Sequence, residues 1–293
     1  MIYLIGSILT SSLVALLFRG MPKFKVDTFQ AVGVNYFVCF VVGTLLSVDS
    51  NVFTAPLWEQ DWFPFTLLLG GIFIGVFYAI ALTAQQIGVS ASMVAAKMAL
   101  VIPVLASVIL WGDTITPLGY VGIAGALASV WFTSKKEEKV EKLSWKIVAL
   151  PAIVFFGSGF IDSSLKYIQH HHMSGDTDSQ PVTVTFGAAF ITALIVMLVR
   201  GVKYKKRLNI QSVLAGIILG IPNYFTMYLL VKALDVDGVK TAVVFPINHI
   251  GIVMVSTLFS VLIFKEKISR TNVLGIILAI LAIVLISVSE NAV

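Results

Sequence analysis

GVSASMVAAKMALVIPVLASVILWGDTITPLGYVGIAG (residues 88–125) and GVKTAVVFPINHIGIVMVSTLFSVLIFKEKISRTNVLGIIL (residues 238–278) are two versions of one pattern. Each opens on Gly-Val, runs through a long apolar stretch, reaches an acidic turn at Asp113 or Glu266, and enters a glycine-bearing segment. Asp113 and Glu266 are 153 positions apart, and so are Gly122 and Gly275. Further back, GGIFIG at 70–75 pairs with AGIILG at 215–220. The apolar runs are helix-length, since a helical span needs about 20 such residues to cross a hydrocarbon layer of roughly 30 Å.

The rest of the chain is built the same way. Of its 293 residues 58% are hydrophobic and only 12% charged, with a mean hydropathy of +0.97. That excludes a water-soluble domain of this size. Charge-free stretches predict helices near 2–19, 28–47, 63–84, 89–111, 116–133, 145–167, 181–200, 210–232, 240–264 and 271–289. The long apolar stretch from 62 to 96 is too long for one crossing; Gln85, Gln86 and Gly88 divide it. The fourth helix then carries Lys97 inside it. A β-barrel would alternate polar and apolar residues over segments of about ten. These runs are continuously apolar, with Gly and Ala at helical spacing, so the expectation is an all-α membrane protein of ten transmembrane helices. The N-terminus lacks a basic leader and reads as the first span. Cys39, alone of its kind, reads as a small packing residue.

Sixteen of the twenty Lys and Arg fall in loops at 19–25, 135–146, 200–207 and 265–270. Lys166, Lys232 and Lys240 fall on the other side. The positive-inside rule puts the sixteen in the cytoplasm and both termini outside. This distribution accounts for the net charge of +5 and excludes a nucleic-acid partner, since no aromatic–basic groove pattern accompanies it. The most hydrophilic stretch, 135–144, is a charged linker dividing a first repeat at 2–134 from a second at 145–289. Five spans per repeat is an odd number, so the second copy enters the bilayer inverted, a device of transporters.

The run SASMVAAKMALVIPV with its trailing GDTITP and glycine, and the second copy ending FKEKIS and glycine, resemble the EamA-type domain of the drug/metabolite transporter superfamily. The resemblance covers most of the chain as two tandem domains. It implies a ten-helix carrier with a central cavity between the repeats, needing no ATP-binding domain; no phosphate-binding loop is found either. Relatives of this kind carry amino acids, nucleotide sugars, phosphorylated sugars and other small metabolites. Two features depart from the family: many relatives keep both termini inside, and a small or apolar residue usually stands where this chain has Lys97.

Candidate substrate-binding residues are Lys97, His249, Asn248, Asn223, Tyr224 and Tyr78. Lys97 lies about 13 Å into its helix at 1.5 Å per residue, where a cation costs about 3 kcal/mol unless it pairs or meets water. It reads either as a site for a substrate carboxylate or phosphate, as a proton-linked switch, or as a structural lysine bonded to backbone carbonyls. His249 occupies nearly the same place in the other repeat and suits proton coupling, with Asn248 beside it; the plainer alternative is helix packing. Pro222 frees a backbone carbonyl next to Asn223 and Tyr224. Pro103 and Pro246 make similar breaks in spans four and nine. Tyr78 and Tyr36 read as cavity walls or as aromatic packing. Asp162 and Lys166 have the spacing of an ion pair, and His170, His171 and His172 lie in a polar loop with no metal-ligand pattern. Gly71 with Gly75 and Gly216 with Gly220 are set for close helix approach.

No metal, cofactor or catalytic set is expected, so the chain is not an enzyme. The expected function is a secondary transporter, exporter or exchanger, of a small polar metabolite such as an amino acid or organic anion. It would work by alternating access around a central site in a bacterial inner membrane, its partners being the substrate, the bilayer and a coupled proton. A membrane-embedded enzyme would need more intramembrane ionisable groups, and a channel more polar spans.

Overall fold

The structure is a computed structural model and describes residues 1–46, 57–111, 115–134, 145–172, 180–205, 207–234 and 241–290. Among these residues every regular element is helical. They are α1 (Ile2–Gly20), α2 (Thr28–Leu46), α3 (Phe63–Gln86), α4 (Val89–Met98), α5 (Val101–Trp111), α6 (Pro117–Ser134), α7 (Trp145–His172), α8 (Gln180–Tyr204), α9 (Ile210–Leu234), α10 (Thr241–Phe264) and α11 (Arg270–Glu290). With α4 and α5 counted as one broken span, these are the ten expected helices. Eight segments are long and apolar enough to cross a membrane, and α7 carries a shorter apolar stretch at Ala149–Ser164. The chain is an integral multi-pass membrane protein. The linker at 135–144, Asp113 and the Gly-Val pair at 238–239 lie outside the described residues, as do the side chains of Lys166, His170, His171, His172 and Pro246.

Three expectations need correction. The fourth span is not one helix over 89–111; it stops at Met98 and restarts at Val101. Pro103 has no N–H to give to the carbonyl of Ala99. The Ile102 N–H takes that carbonyl at 2.9 Å instead, across three residues, and tightens the turn. The expected breaks at Pro222 and Pro246 are absent, since α9 and α10 both run on through them. In α9 the turns before Pro222 are held against α2: a Cβ on Gly216 or Gly220 would come within 2.6 Å of Val34 or Val38. One missing bond in a helix braced this way bends it without ending it. Finally, His170, His171 and His172 are helical in backbone and close α7, where a loop was expected.

The chain divides into two compact units, each drawing on both halves of the sequence. The first comprises Met1–Arg19, Ala79–Phe160 and Phe225–Val293. Within it α6 and α11 pack antiparallel along their length. A Cβ on Gly122 would meet Ile286 Cγ1 at 2.8 Å, and one on Gly275 would meet Thr133 Cγ2 at 2.7 Å. The glycines at 122 and 275 and their partners at 133 and 286 are each 153 positions apart, so the contact is reciprocal, as across a two-fold axis. Ala126 and Ala279, at the same separation, are both fully buried. Thr116 and Ser289 hydroxyls meet at 2.8 Å at one end of the pair, while Asn272 Nδ2 donates to the Phe132 and Thr133 carbonyls at the other.

The second unit comprises Gly20–Tyr78 and Ile161–Tyr224. Here α2 and α8 are the antiparallel pair: Gly33 faces Ala193 and Met197, and Gly43 faces Thr183. Close approach by glycine is confirmed for Gly216 and Gly220 but not for Gly71 and Gly75, around which no atom lies within 4 Å of a built Cβ. The neighbouring Gly70 makes the contact instead, against Ala188 and Ala189 of α8. One residue along a helix is a rotation of about 100°, so Gly70 faces α8 and Gly71 does not.

Candidate functional site

Lys97 stands in the last turn of α4. The terminal carbonyls of a helix have no intrahelical partner and carry about half a negative charge. The break at Ala99 therefore brings an electronegative helix end to the lysine, within a segment apolar enough to cross the membrane. Val94 and Met98 on either side of it are fully buried in an apolar cluster that includes Val253 of α10. α4 packs against α10, and there the Lys97 charge acts on His249. Both side chains are half-buried. The His249 ring lies near-perpendicular to Phe245, with centroids 6.4 Å apart. Asn248 is only 2% exposed, and its Oδ1 has no hydrogen-bond partner. Lys97 and His249 are thus near enough to interact in the first unit, and Asn248, next to His249 in the chain, carries an amide acceptor with an unfilled bond.

Tyr78, Asn223 and Tyr224 belong to the second unit. The Asn223 amide donates to Cys39 Sγ at 3.4 Å, and the Cys39 thiol donates to the Gly220 carbonyl at 3.5 Å. So the Asn223 amide bonds across the α2–α9 contact, and Cys39 is bonded as well as packed. Tyr224 is buried and its ring edge comes within 3.1 Å of a Cβ built on Gly43. Tyr78 is half-buried, edge-on to Phe29 at 5.5 Å. Tyr36 is fully buried among Phe73, Phe77 and Phe186, with its hydroxyl donating to the Phe73 carbonyl at 3.2 Å. Of its two readings, aromatic packing holds. Asp162 is exposed on α7. Among the described residues no three His, Cys, Asp or Glu side chains gather closely enough to hold a metal ion.

Two polar groups were overlooked in the sequence. Asn35 is fully buried in α2 beside Cys39, with its Nδ2 unpartnered; an asparagine mid-way along an apolar run was the available signal. Glu266, noted only as a repeat marker, caps α4. Its Oε2 accepts the Val89 N–H at 3.2 Å and the Ser260 hydroxyl, and Gly88, at φ 154, leaves no Cβ in its way. Across the same α3–α4 turn the Arg19 guanidinium donates to the Ala84 and Gln85 carbonyls, and Gln85 Nε2 returns a bond to Phe18 O at 3.0 Å. An anion at a helix N-terminus and a cation at a C-terminus each complement the helix dipole. Replacing Glu266 with Ala is expected to lower stability by about 1.5 kcal/mol. A thermal midpoint equal to wild type in detergent would dispose of the cap.

The comparisons with known proteins agree with this fold. A protein of Haemophilus influenzae, itself uncharacterized, is 27% identical over 284 residues, covering 96% of this chain and 95% of its own. A solved crystal structure superposes with a TM-score of 0.56 at 17% identity, covering 97% of this chain and 98% of its own, which shows the fold alone. Residues 143–288 match the EamA-like transporter family. Residues 143–288 belong to the EamA-like transporter family, within the drug/metabolite transporter superfamily, and that family suggests a membrane transporter of that type.

Proposed function

We propose that this protein is a secondary carrier, an exporter or exchanger, for a small polar metabolite bearing an anionic group, such as an amino acid or organic anion. The observation that carries this reading is Lys97 at the end of a broken helix, within electrostatic reach of His249. In carriers the C-terminal end of a half-helix holds a cation; here that cation is Lys97, whose charge an anionic substrate group would meet. Lys97 would take the carboxylate or phosphate, Asn248 Oδ1 a substrate N–H or O–H, and His249 or Lys97 a coupled proton. Tyr78, Asn223 and Tyr224 are retained as substrate-binding residues from the second unit.

Alternating access around a central site follows if residues 2–134 and 145–289 are two inverted five-helix repeats joined by the 135–144 linker. The reciprocal contact of Gly122 with Ile286 and Gly275 with Thr133 supports this. So does the antiparallel pairing of corresponding helices, α2 with α8 and α6 with α11. The location is a bacterial inner membrane, with both termini outside.

Proteoliposomes loaded with amino or organic acids test the proposal. Saturable counterflow of one of them is expected; flux that rises linearly with concentration would mean a channel and end the carrier reading. Asn248→Leu is a sharper probe. Because the acceptor has no partner to lose, stability should change by no more than about 1 kcal/mol, while counterflow falls at least tenfold. Unchanged counterflow would remove Asn248 from the site.

A further inference from the structure

We propose that residues 21–27, 204–205 and 207–212, in the second unit, form a fixed binding surface for the headgroups of anionic phospholipids. The two loops are stitched to each other. Gln30 Nε2 donates to the Arg207 carbonyl and Gln30 Oε1 accepts the Asn209 N–H, both at 3.0 Å. Asn209 Nδ2 donates to the Lys25 carbonyl at 3.1 Å, and Ser212 Oγ accepts the Asp27 N–H at 2.8 Å. What this stitching holds in place is a set of exposed cations: Lys23, Lys25, Lys203, Lys205 and Arg207.

The loops carry one carboxylate against five exposed cations, so they stay strongly basic. Asp27 Oδ1 accepts the N–H groups of Phe29 and Gln30, at 3.1 and 3.2 Å, and so caps the start of α2. Between the cations stand exposed apolar side chains, Phe24 at 68%, Tyr204 at 62% and Leu208 at 67%. The loops lie at the start of α2 and the end of α8, both long and apolar enough to cross the membrane. Apolar groups set at the acyl boundary with cations at the phosphate level are the composition of an anionic-lipid surface.

The backbone gives the second argument. Lys25 (φ 54) and Lys205 (φ 52), like Lys265 (φ 52) after α10, are left-handed residues just past the ends of helices. Glycine is relaxed in that conformation and a side chain is not. Lysine there brings nothing to the turn that glycine would lack except its charge. If these cations served only to orient the chain during insertion, their number would matter and their fixed placement would not.

The test compares thermal midpoints of the full chain in phosphatidylcholine bilayers with and without phosphatidylglycerol. Wild type should gain a saturable rise from phosphatidylglycerol. The double variant Lys25→Gly with Lys205→Gly should match or exceed wild type in phosphatidylcholine alone. Its apparent affinity for phosphatidylglycerol should nevertheless fall about twentyfold, since each surface cation contributes roughly one charge-lipid attraction. A loss of phosphatidylglycerol affinity with no loss of stability in phosphatidylcholine separates lipid binding from helix capping. Lys25→Arg with Lys205→Arg should keep the wild-type response. Should the glycine pair fail to fold, Lys25→Asn with Lys205→Asn suits the same backbone and carries the same expectation. An equal phosphatidylglycerol response in wild type and variant overturns the proposal. So does an equal rise from sodium phosphate in phosphatidylcholine, which would mean a site for soluble anions.

Discussion

Gly70→Ala is expected to destabilise the protein by about 3 kcal/mol, whereas Gly71→Ala should stabilise it by about 0.5–1 kcal/mol. The two glycines are neighbours in α3, and the sequence offers no means of ranking them. At Gly70 an added Cβ would lie 2.5 Å from Ala188 Cβ, 2.6 Å from the Ala189 nitrogen and 2.7 Å from the Ala188 carbonyl carbon. Two of those atoms are backbone, so relief requires α8 to move as a body and to give up its fit with α2. At Gly71 and Gly75 nothing lies within 4 Å. There alanine adds helix propensity and restricts the unfolded chain, with nothing to push against. The gap of roughly 4 kcal/mol corresponds to about 10 °C between the Gly70 and Gly71 variants. Melting in detergent reads this directly. Equal midpoints for the two variants would show that α3 and α8 do not approach at Gly70.

Lys97→Ala is expected to reduce counterflow about 100-fold or more without lowering the melting temperature. Deleting one partner of a buried charged hydrogen bond costs about 3 kcal/mol of binding, which is that factor. Folding, by contrast, is relieved of placing a cation in the membrane, a cost of about 3 kcal/mol that offsets the partner Lys97 loses. The competing reading makes Lys97 a structural ion held by the terminal carbonyls of α4. It has the opposite signature: transport kept and the midpoint lowered. Lys97→Arg divides the two further, since the cation survives while its shape changes. On the substrate reading the apparent affinity should shift; on the structural one neither flux nor melting should change much.

Much of the fold was readable in the chain because the bilayer removes choices. Backbone groups in hydrocarbon must bond internally, so an apolar run of sufficient length becomes a helix. The predicted bounds for α1, α2, α6 and α11 accordingly fall within a residue or two of those observed. Prolines were less legible. Pro103 ends a helix and Pro222 does not, although each removes one donor. The difference lies in what braces the neighbouring turns, and Gly216 and Gly220 against α2 are brought there by residues far away in sequence.

The candidate site was legible only in its ionisable members. A lysine or histidine inside an apolar span stands out because burial makes it costly. Asn35 and Glu266 did not stand out, one being an ordinary amide and the other an ordinary loop carboxylate. Their roles exist only once α2 is buried and the α10–α11 turn reaches the start of α4.

By itself, then, the amino-acid order determined the helical class, the placement of most spans and the internal correspondence at 153 positions. These follow from hydrophobic run length and local pattern, which act along the chain. Which of two adjacent glycines is a contact, where Asn223 spends its hydrogen bond, and that Lys97 meets a helix end beside His249 were decided by the tertiary structure alone. Each depends on the rotation of one helix against another, a quantity set by packing between distant segments and carried by no single stretch of sequence.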